Sequence, residues 1–218
     1  ELMQFTKTSL FQINPKIHEI VDESGNTLAH NLINEENIEI LSLICNVYYL
    51  SLDNKKQFFD WLFLENNDNM NIIDYACKIG SKNYMEYFYK IISKTNIARF
   101  KFNKKKNTIF HTSAKNKQYY SILFWYDKLQ KCFPSLKITD TCNKYNITPL
   151  HYACYHNSYS CVELLLDLNS DINAVDIEGK SVLNYAVYSN NEKIIKKLLI
   201  RGANKDIKDK KGLTAYDY

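Results

Sequence analysis

Thr148-Pro149-Leu150-His151-Tyr152-Ala153-Cys154 decides how this chain folds, because it recurs. Ser181-Val182-Leu183-Asn184-Tyr185-Ala186-Val187 repeats its shape 33 residues on, and after 33 more Thr214-Ala215-Tyr216-Asp217-Tyr218 begins it again. A fixed period of this length is the signature of stacked helix pairs. Thr148 and Ser181 are placed to cap a first helix, and Pro149 falls in its first turn, where a missing N–H costs nothing. Ala153 and Ala186 are small enough for a neighbouring helix to approach closely. Val162, Leu165 and Leu166, matched by Ile195, Leu198 and Leu199, follow helical spacing and predict a second helix facing the stack. Gly202 suits the left-handed turn that ends it.

Weaker copies precede these two. Thr108-Ile109-Phe110-His111-Thr112-Ser113-Ala114 has the same core, with Asn103 before it. Asn71-Ile72-Ile73-Asp74-Tyr75-Ala76-Cys77, with Asn66 before it and Gly80 after it, is another. A third is Thr27-Leu28-Ala29-His30, preceded by Asp22. The Thr-Pro-Leu-His-x-Ala core on a 33-residue period resembles the ankyrin repeat. That resemblance implies an all-α fold, a solenoid of paired antiparallel helices with short β-hairpin fingers. The copies divide residues 1–218 into one array: 1–21 as an N-terminal cap or partial repeat, 22–65 as a degenerate repeat with an insertion, and 66–102 as a repeat. Residues 103–142 form a repeat with an insertion, 143–175 and 176–208 are regular repeats, and 209–218 open a truncated one.

Upstream spacings are irregular: 44 residues from Thr27 to Asn71, 37 to Thr108 and 40 to Thr148. The extra length must lie in second helices or in the connections after them. Asp53 to Leu64 reads as an additional or extended helix, and Cys132-Phe133-Pro134 ends a long helix that begins near Gln118. Gly80 apart, the turn between paired helices carries Asn157, Asn190, Lys117 or Glu36 in place of the standard glycine. Asn tolerates the left-handed conformation, whereas Lys117 and Glu36 fit it poorly. Because the last copy stops about one helical turn in, the natural protein is expected to continue beyond Tyr218.

Composition narrows the function. A hydrophobic fraction of 45% excludes wholesale disorder, and a net charge of +4 is too mild to imply a nucleic-acid partner. No apolar run approaches the ~18 residues of a membrane span. Six cysteines without a Cys-x-x-Cys pair read as reduced thiols packed as small hydrophobes, the pattern of a cytoplasmic protein. The excess of Asn, Lys, Ile and Tyr reads as the coding bias of an AT-rich genome.

No phosphate loop, nucleophile elbow or zinc-protease helix is present, so no catalytic residue and no cofactor are assigned. His30, His111 and His151 share one repeat position, where the resemblance implies imidazoles bonded to the backbone of neighbouring fingers. His151, Cys154, His156 and Cys161 are not expected to converge on a metal. Tyr75, Tyr152 and Tyr185 share a position read as core or half-buried packing, the alternative being a row of aromatics that lines the concave face.

In ankyrin arrays the partner lies against the concave face of fingers and first helices. Positions there without a structural duty include Met70, Lys78, Lys104, Lys105, Lys115, Tyr145, Ile147, Tyr155, His156 and Tyr188. Aromatic side chains rimmed by lysine suit a protein or peptide hot spot. Basic clusters at Arg99 to Lys106 and at Lys205 to Lys211 fall on fingers, where they suit an acidic peptide or an anionic membrane. The expectation is a monomeric, non-catalytic protein-interaction module. The alternative is the cytosolic recognition domain of a larger Asp-His-His-Cys palmitoyltransferase, with membrane attachment and catalysis outside this chain. A minor third reading makes Asn173 a hydroxylation substrate, by its resemblance to modified ankyrin positions.

Overall fold

The structure, a computed structural model, describes residues 20–51, 55–93 and 107–218. The expected cap up to residue 19, Asp53, Asn103, the basic stretch from Arg99 to Lys106 and hence Lys104 and Lys105 lie outside the described residues. The chain forms two compact units, one from residues 1–76 and 83–103, the other from 77–82 and 104–218.

In the first unit, α1 (Leu28–Asn34) pairs with α2 (Ile38–Ser51), and α3 (Lys55–Leu62) follows as the additional helix that the long spacing required. α4 (Ile72–Ile79) begins here and ends in the second unit, and α5 (Lys82–Ser93) belongs almost wholly to the first. Ile33, Leu41, Phe58, Leu62, Ile72, Met85 and Phe88 are fully buried. Burying side chains of this size contributes about 1.5–3 kcal/mol each. The Tyr84 hydroxyl donates to the Leu32 carbonyl at 3.0 Å, tying α5 to the end of α1.

In the second unit, α6 (Ile109–Lys115), α8 (Pro149–Tyr155) and α10 (Val182–Tyr188) make a row of short first helices. α7 (Tyr119–Cys132), α9 (Tyr159–Asp167) and α11 (Glu192–Ile200) make the row of second helices. Of the seven extra residues in the 40-residue spacing, five lengthen α7 relative to α9, and the 3₁₀ turn Ile138–Asp140 follows. A final 3₁₀ turn, Ala215–Asp217, opens the last copy. Ala114, Ala153 and Ala186 are fully buried between first helices. Trp125 is fully buried, with its indole N–H 3.0 Å from the Cys77 sulfur. Cys45, Cys77, Cys154 and Cys161 are buried thiols, while Cys132 and Cys142 are exposed. Among the described residues, no helix is long and apolar enough to cross a membrane.

The turns between paired helices form even where glycine is missing. Glu36, Lys117, Asn157 and Asn190 take φ of 54°, 60°, 56° and 53°. Each closes a helix end. Lys117 N–H donates to the Ala114 carbonyl at 3.3 Å, and Gln118 N–H to that of Ser113 at 2.9 Å. Two carbonyls that the helix would leave unpaired gain donors, which offsets the roughly 1–2 kcal/mol that the left-handed backbone costs a non-glycine residue.

The fingers are a minimal form of the expected short β-hairpins. Among the described residues they contain no strand, only the isolated bridges Val21–Thr27 and Val175–Ser181. Each is a five-residue turn organised by its first residue: Asp22, Asn66, Asn143, Asp176 or Asp209. That residue's Oδ1 accepts the backbone N–H groups two and four positions on, at 2.8–3.1 Å. Its own N–H donates to the carbonyl of the fifth residue. The fourth residue, Gly25, Asn69, Asn146, Gly179 or Gly212, has positive φ. One side-chain oxygen replaces a ladder of backbone bonds, so two extended arms are unnecessary. Successive fingers are joined by single bonds, Ile177 N–H to the Tyr145 carbonyl and Lys210 N–H to that of Glu178, each 2.9 Å.

Candidate recognition surface

The His position shows how adjacent repeats are locked together. The Thr108 backbone N–H donates to His111 Nδ1 at 3.0 Å, so the ring's proton sits on Nε2, which faces the Ile147 carbonyl at 2.8 Å. His30 makes the same pair of contacts with Thr27 and the Met70 carbonyl, and His151 with Thr148 and the Lys180 carbonyl. Burial pushes His111 and His151 down to about 4 and lowers His30 as well. These imidazoles are neutral scaffold groups. Each also meets the edge of the next repeat's tyrosine: His30 with Tyr75, His111 with Tyr152, His151 with Tyr185. The shared tyrosine position is therefore packing, as expected. Tyr185 in addition donates its hydroxyl to Asp176 Oδ2 at 2.8 Å.

Asn184 holds the fourth place in this series. Its Oδ1 accepts from the Ser181 N–H and hydroxyl, but its Nδ2 is buried without a partner, the residue being 2% exposed. The shorter side chain does not bond the Leu213 carbonyl that an imidazole would meet. Tyr218, the next tyrosine, has the Lys180 ammonium 5.2 Å from its ring centre instead of a histidine.

The predicted surface residues separate into groups. Tyr155 ends α8 and Tyr188 ends α10, at equivalent positions, and their rings stack with centres 6.0 Å apart and planes 20° from parallel. They remain 44% and 66% exposed. His156 caps α8 and lies edge-on to Tyr155, with ring centres 5.1 Å apart. Tyr185 joins from below, 6.2 Å from Tyr155. Tyr145, on the preceding finger and 43% exposed, has the Lys144 ammonium 4.9 Å from its ring centre. Burial raises the Tyr152 phenol above its ordinary value. Tyr152 in turn sits 5.9 Å from His156, so Tyr152, His156, Tyr155 and Tyr188 form a continuous aromatic row.

Lys115 ends α6 at the position equivalent to Tyr155, exposed. Burial lowers the His156 imidazole, and Lys115 and Lys117 lower it further, so these ammonium groups border the row. Lys78, at the end of α4, is half-buried. Ile147 and Met70 are not idle. Their carbonyls receive histidine Nε2–H groups and their N–H groups are held by Asn143 and Asn66. Met70 belongs to the first unit. From the sequence Tyr185 reads first as packing and Lys117 only as a turn residue; the ring geometry brings Tyr185 against Tyr155.

Helix pairs on a 33-residue period, a Thr or Ser capping box closed by histidine or asparagine, and Asx-centred fingers now stand together. The model for ankyrin repeats (3 copies) matches residues 126–209. That stretch consists of ankyrin repeats. Similar stretches occur in an ADP-ribosylation factor GTPase-activating protein of Arabidopsis thaliana, 38% identical over 68 residues, 31% of this chain and 9% of that protein. The human transient receptor potential cation channel subfamily A member 1 is 36% identical over 78 residues, 36% of this chain and 7% of the channel. The ankyrin repeat and SAM domain-containing protein 6 of Rattus norvegicus is 37% identical over 71 residues, 32% of this chain and 8% of that protein. The chain thus matches under a tenth of the length of each.

Proposed function

We propose that this chain is a non-catalytic recognition module that binds a partner protein through the aromatic row of its second unit. The observation that carries the reading is the stacked pair Tyr155 and Tyr188, left in water on capped, internally bonded helices. Covering about 100 Å² of ring on a partner would contribute about 2.5 kcal/mol. Little ordering cost opposes it, because the backbone beneath is already fixed. Tyrosines in such settings carry a disproportionate share of binding energy. The relatives are a GTPase-activating protein, a channel and a SAM-domain protein, so the repeats recur beside unlike activities, which supports recognition as what they share. No described residue favours the palmitoyltransferase alternative.

The test is Tyr155→Ala combined with Tyr188→Ala, followed by partner retention from a cell extract and by circular dichroism. The double variant should keep its helical signal and lose its partner; a folded variant with undiminished retention contradicts the reading.

A further inference from the structure

The charges of the second unit are sorted. On the second helices they are paired, Lys193 excepted among the described residues: Lys197 with Glu163, Arg201 with Asp167 at 2.7 Å, Lys131 with Asp127 at 2.9 Å and Lys196 with Glu192 at 3.2 Å. Six lysines at first-helix ends and on the fingers are not. Lys115, Lys117, Lys144, Lys180, Lys210 and Lys211 have no carboxylate within 4.0 Å among the described residues. The carboxylates nearby are engaged in the fold. Asp176 and Asp209 each hold two backbone N–H groups and a tyrosine hydroxyl, and Asp217 holds Thr214. On the three described fingers of this unit, Glu178 is the remaining carboxylate against four lysines. The His156 imidazole, depressed first by burial and then by Lys115 and Lys117, reports the same positive field beside Tyr155.

We infer that the partner segment is an acidic stretch of polypeptide with an apolar side chain that seats on Tyr155 and Tyr188. This rests on the recognition reading above and names its partner class. Two features of the surface demand two features of the ligand. The unpaired ammonium groups attract carboxylates, and attraction of this kind raises the encounter rate and weakens with salt. The exposed ring faces need an apolar group, because a purely acidic segment would leave them in water. Lys144 beside Tyr145 places both demands within one side chain's reach.

The full 218-residue chain would be titrated, by fluorescence anisotropy at about 50 mM salt, with three labelled decapeptides. One is Asp/Glu-rich with two leucines, one all-acidic, and one carries lysine in place of each acid. A single-stranded RNA and phosphatidylserine vesicles serve as further probes. The acidic, leucine-bearing peptide should bind best. Its affinity should fall about tenfold or more with Lys115→Glu plus Lys144→Glu, and comparably with Tyr155→Ala plus Tyr188→Ala. Equal binding of the lysine peptide, tighter binding of RNA or vesicles, or indifference to the charge reversals overturns the inference. If no peptide binds while the tyrosine substitutions still abolish partner retention, the recognition face stands and the acidic class falls. If those substitutions leave retention intact, the face itself is wrong.

Discussion

Acidification should dismantle the inter-repeat locks of the second unit well before carboxylates protonate. His111 and His151 sit at 0% exposure, each with Nδ1 taking a backbone N–H, so a second ring proton would displace that bond and put a charge in a buried site. Both are pushed down from an ordinary 6.5 to about 4. Between those values the unfolded chain binds more protons than the folded one, so stability falls as pH drops from 6.5 toward 4. Going from pH 7 to pH 5 should remove about 2 kcal/mol per imidazole, about 4 kcal/mol for the pair. That is a large share of a domain's typical ~5–15 kcal/mol. Asp127 and Asp209, held below the ordinary 3.8, lose their contribution only at lower pH. The assay is urea unfolding at pH 7 and pH 5, followed through buried Trp125 in a Trp61→Phe background. His111→Asn combined with His151→Asn, with asparagine already accepted at position 184, should flatten most of the difference. An equal pH dependence in the variant refutes the assignment to these two rings.

Two further outcomes follow from the same geometry. Asn184→His should supply the missing bond to the Leu213 carbonyl, remove a buried unpaired donor and raise stability by about 1–2 kcal/mol in urea unfolding; a loss would mean the site cannot take the ring. Asp176→Ala strips an acceptor from Glu178 N–H, Lys180 N–H and the Tyr185 hydroxyl. It should cost about 2–4 kcal/mol, read by thermal or urea unfolding, and a loss below about 1 kcal/mol would refute the Asx account of the fingers.

The helix pairs were legible because capping residues, small alanines and apolar spacing act locally and repeat. Thr148, Ala153 and Leu165 each sit where the period put them, and the extra length fell in α3 and in α7 with its following turn, as the spacings required. The turns at Glu36 and Lys117 were less legible, since local preference opposes them and only the closing bonds of the helix ends decide. The described fingers carry at most isolated antiparallel bridges in place of strands, because one carboxylate or amide oxygen can do the work of a ladder. The recurring Asp or Asn with Gly or Asn three residues later was the available signal. At the candidate surface, Tyr145, Tyr155 and Tyr188 were readable as large side chains without a place in the repeat. The imidazole bonds to finger backbone were implied by the ankyrin resemblance, but that they engage the carbonyls of Met70 and Ile147 is set by which finger residue meets the ring.

The recognition face itself is tested most directly by site-specific photo-cross-linking in cells of the source organism. A benzoylphenylalanine would replace Tyr188 on the first-helix row or Lys196 on the second-helix row. A cross-linked partner band from position 188 and none from position 196 is the predicted result. The same band from position 196, with none from position 188, would contradict it.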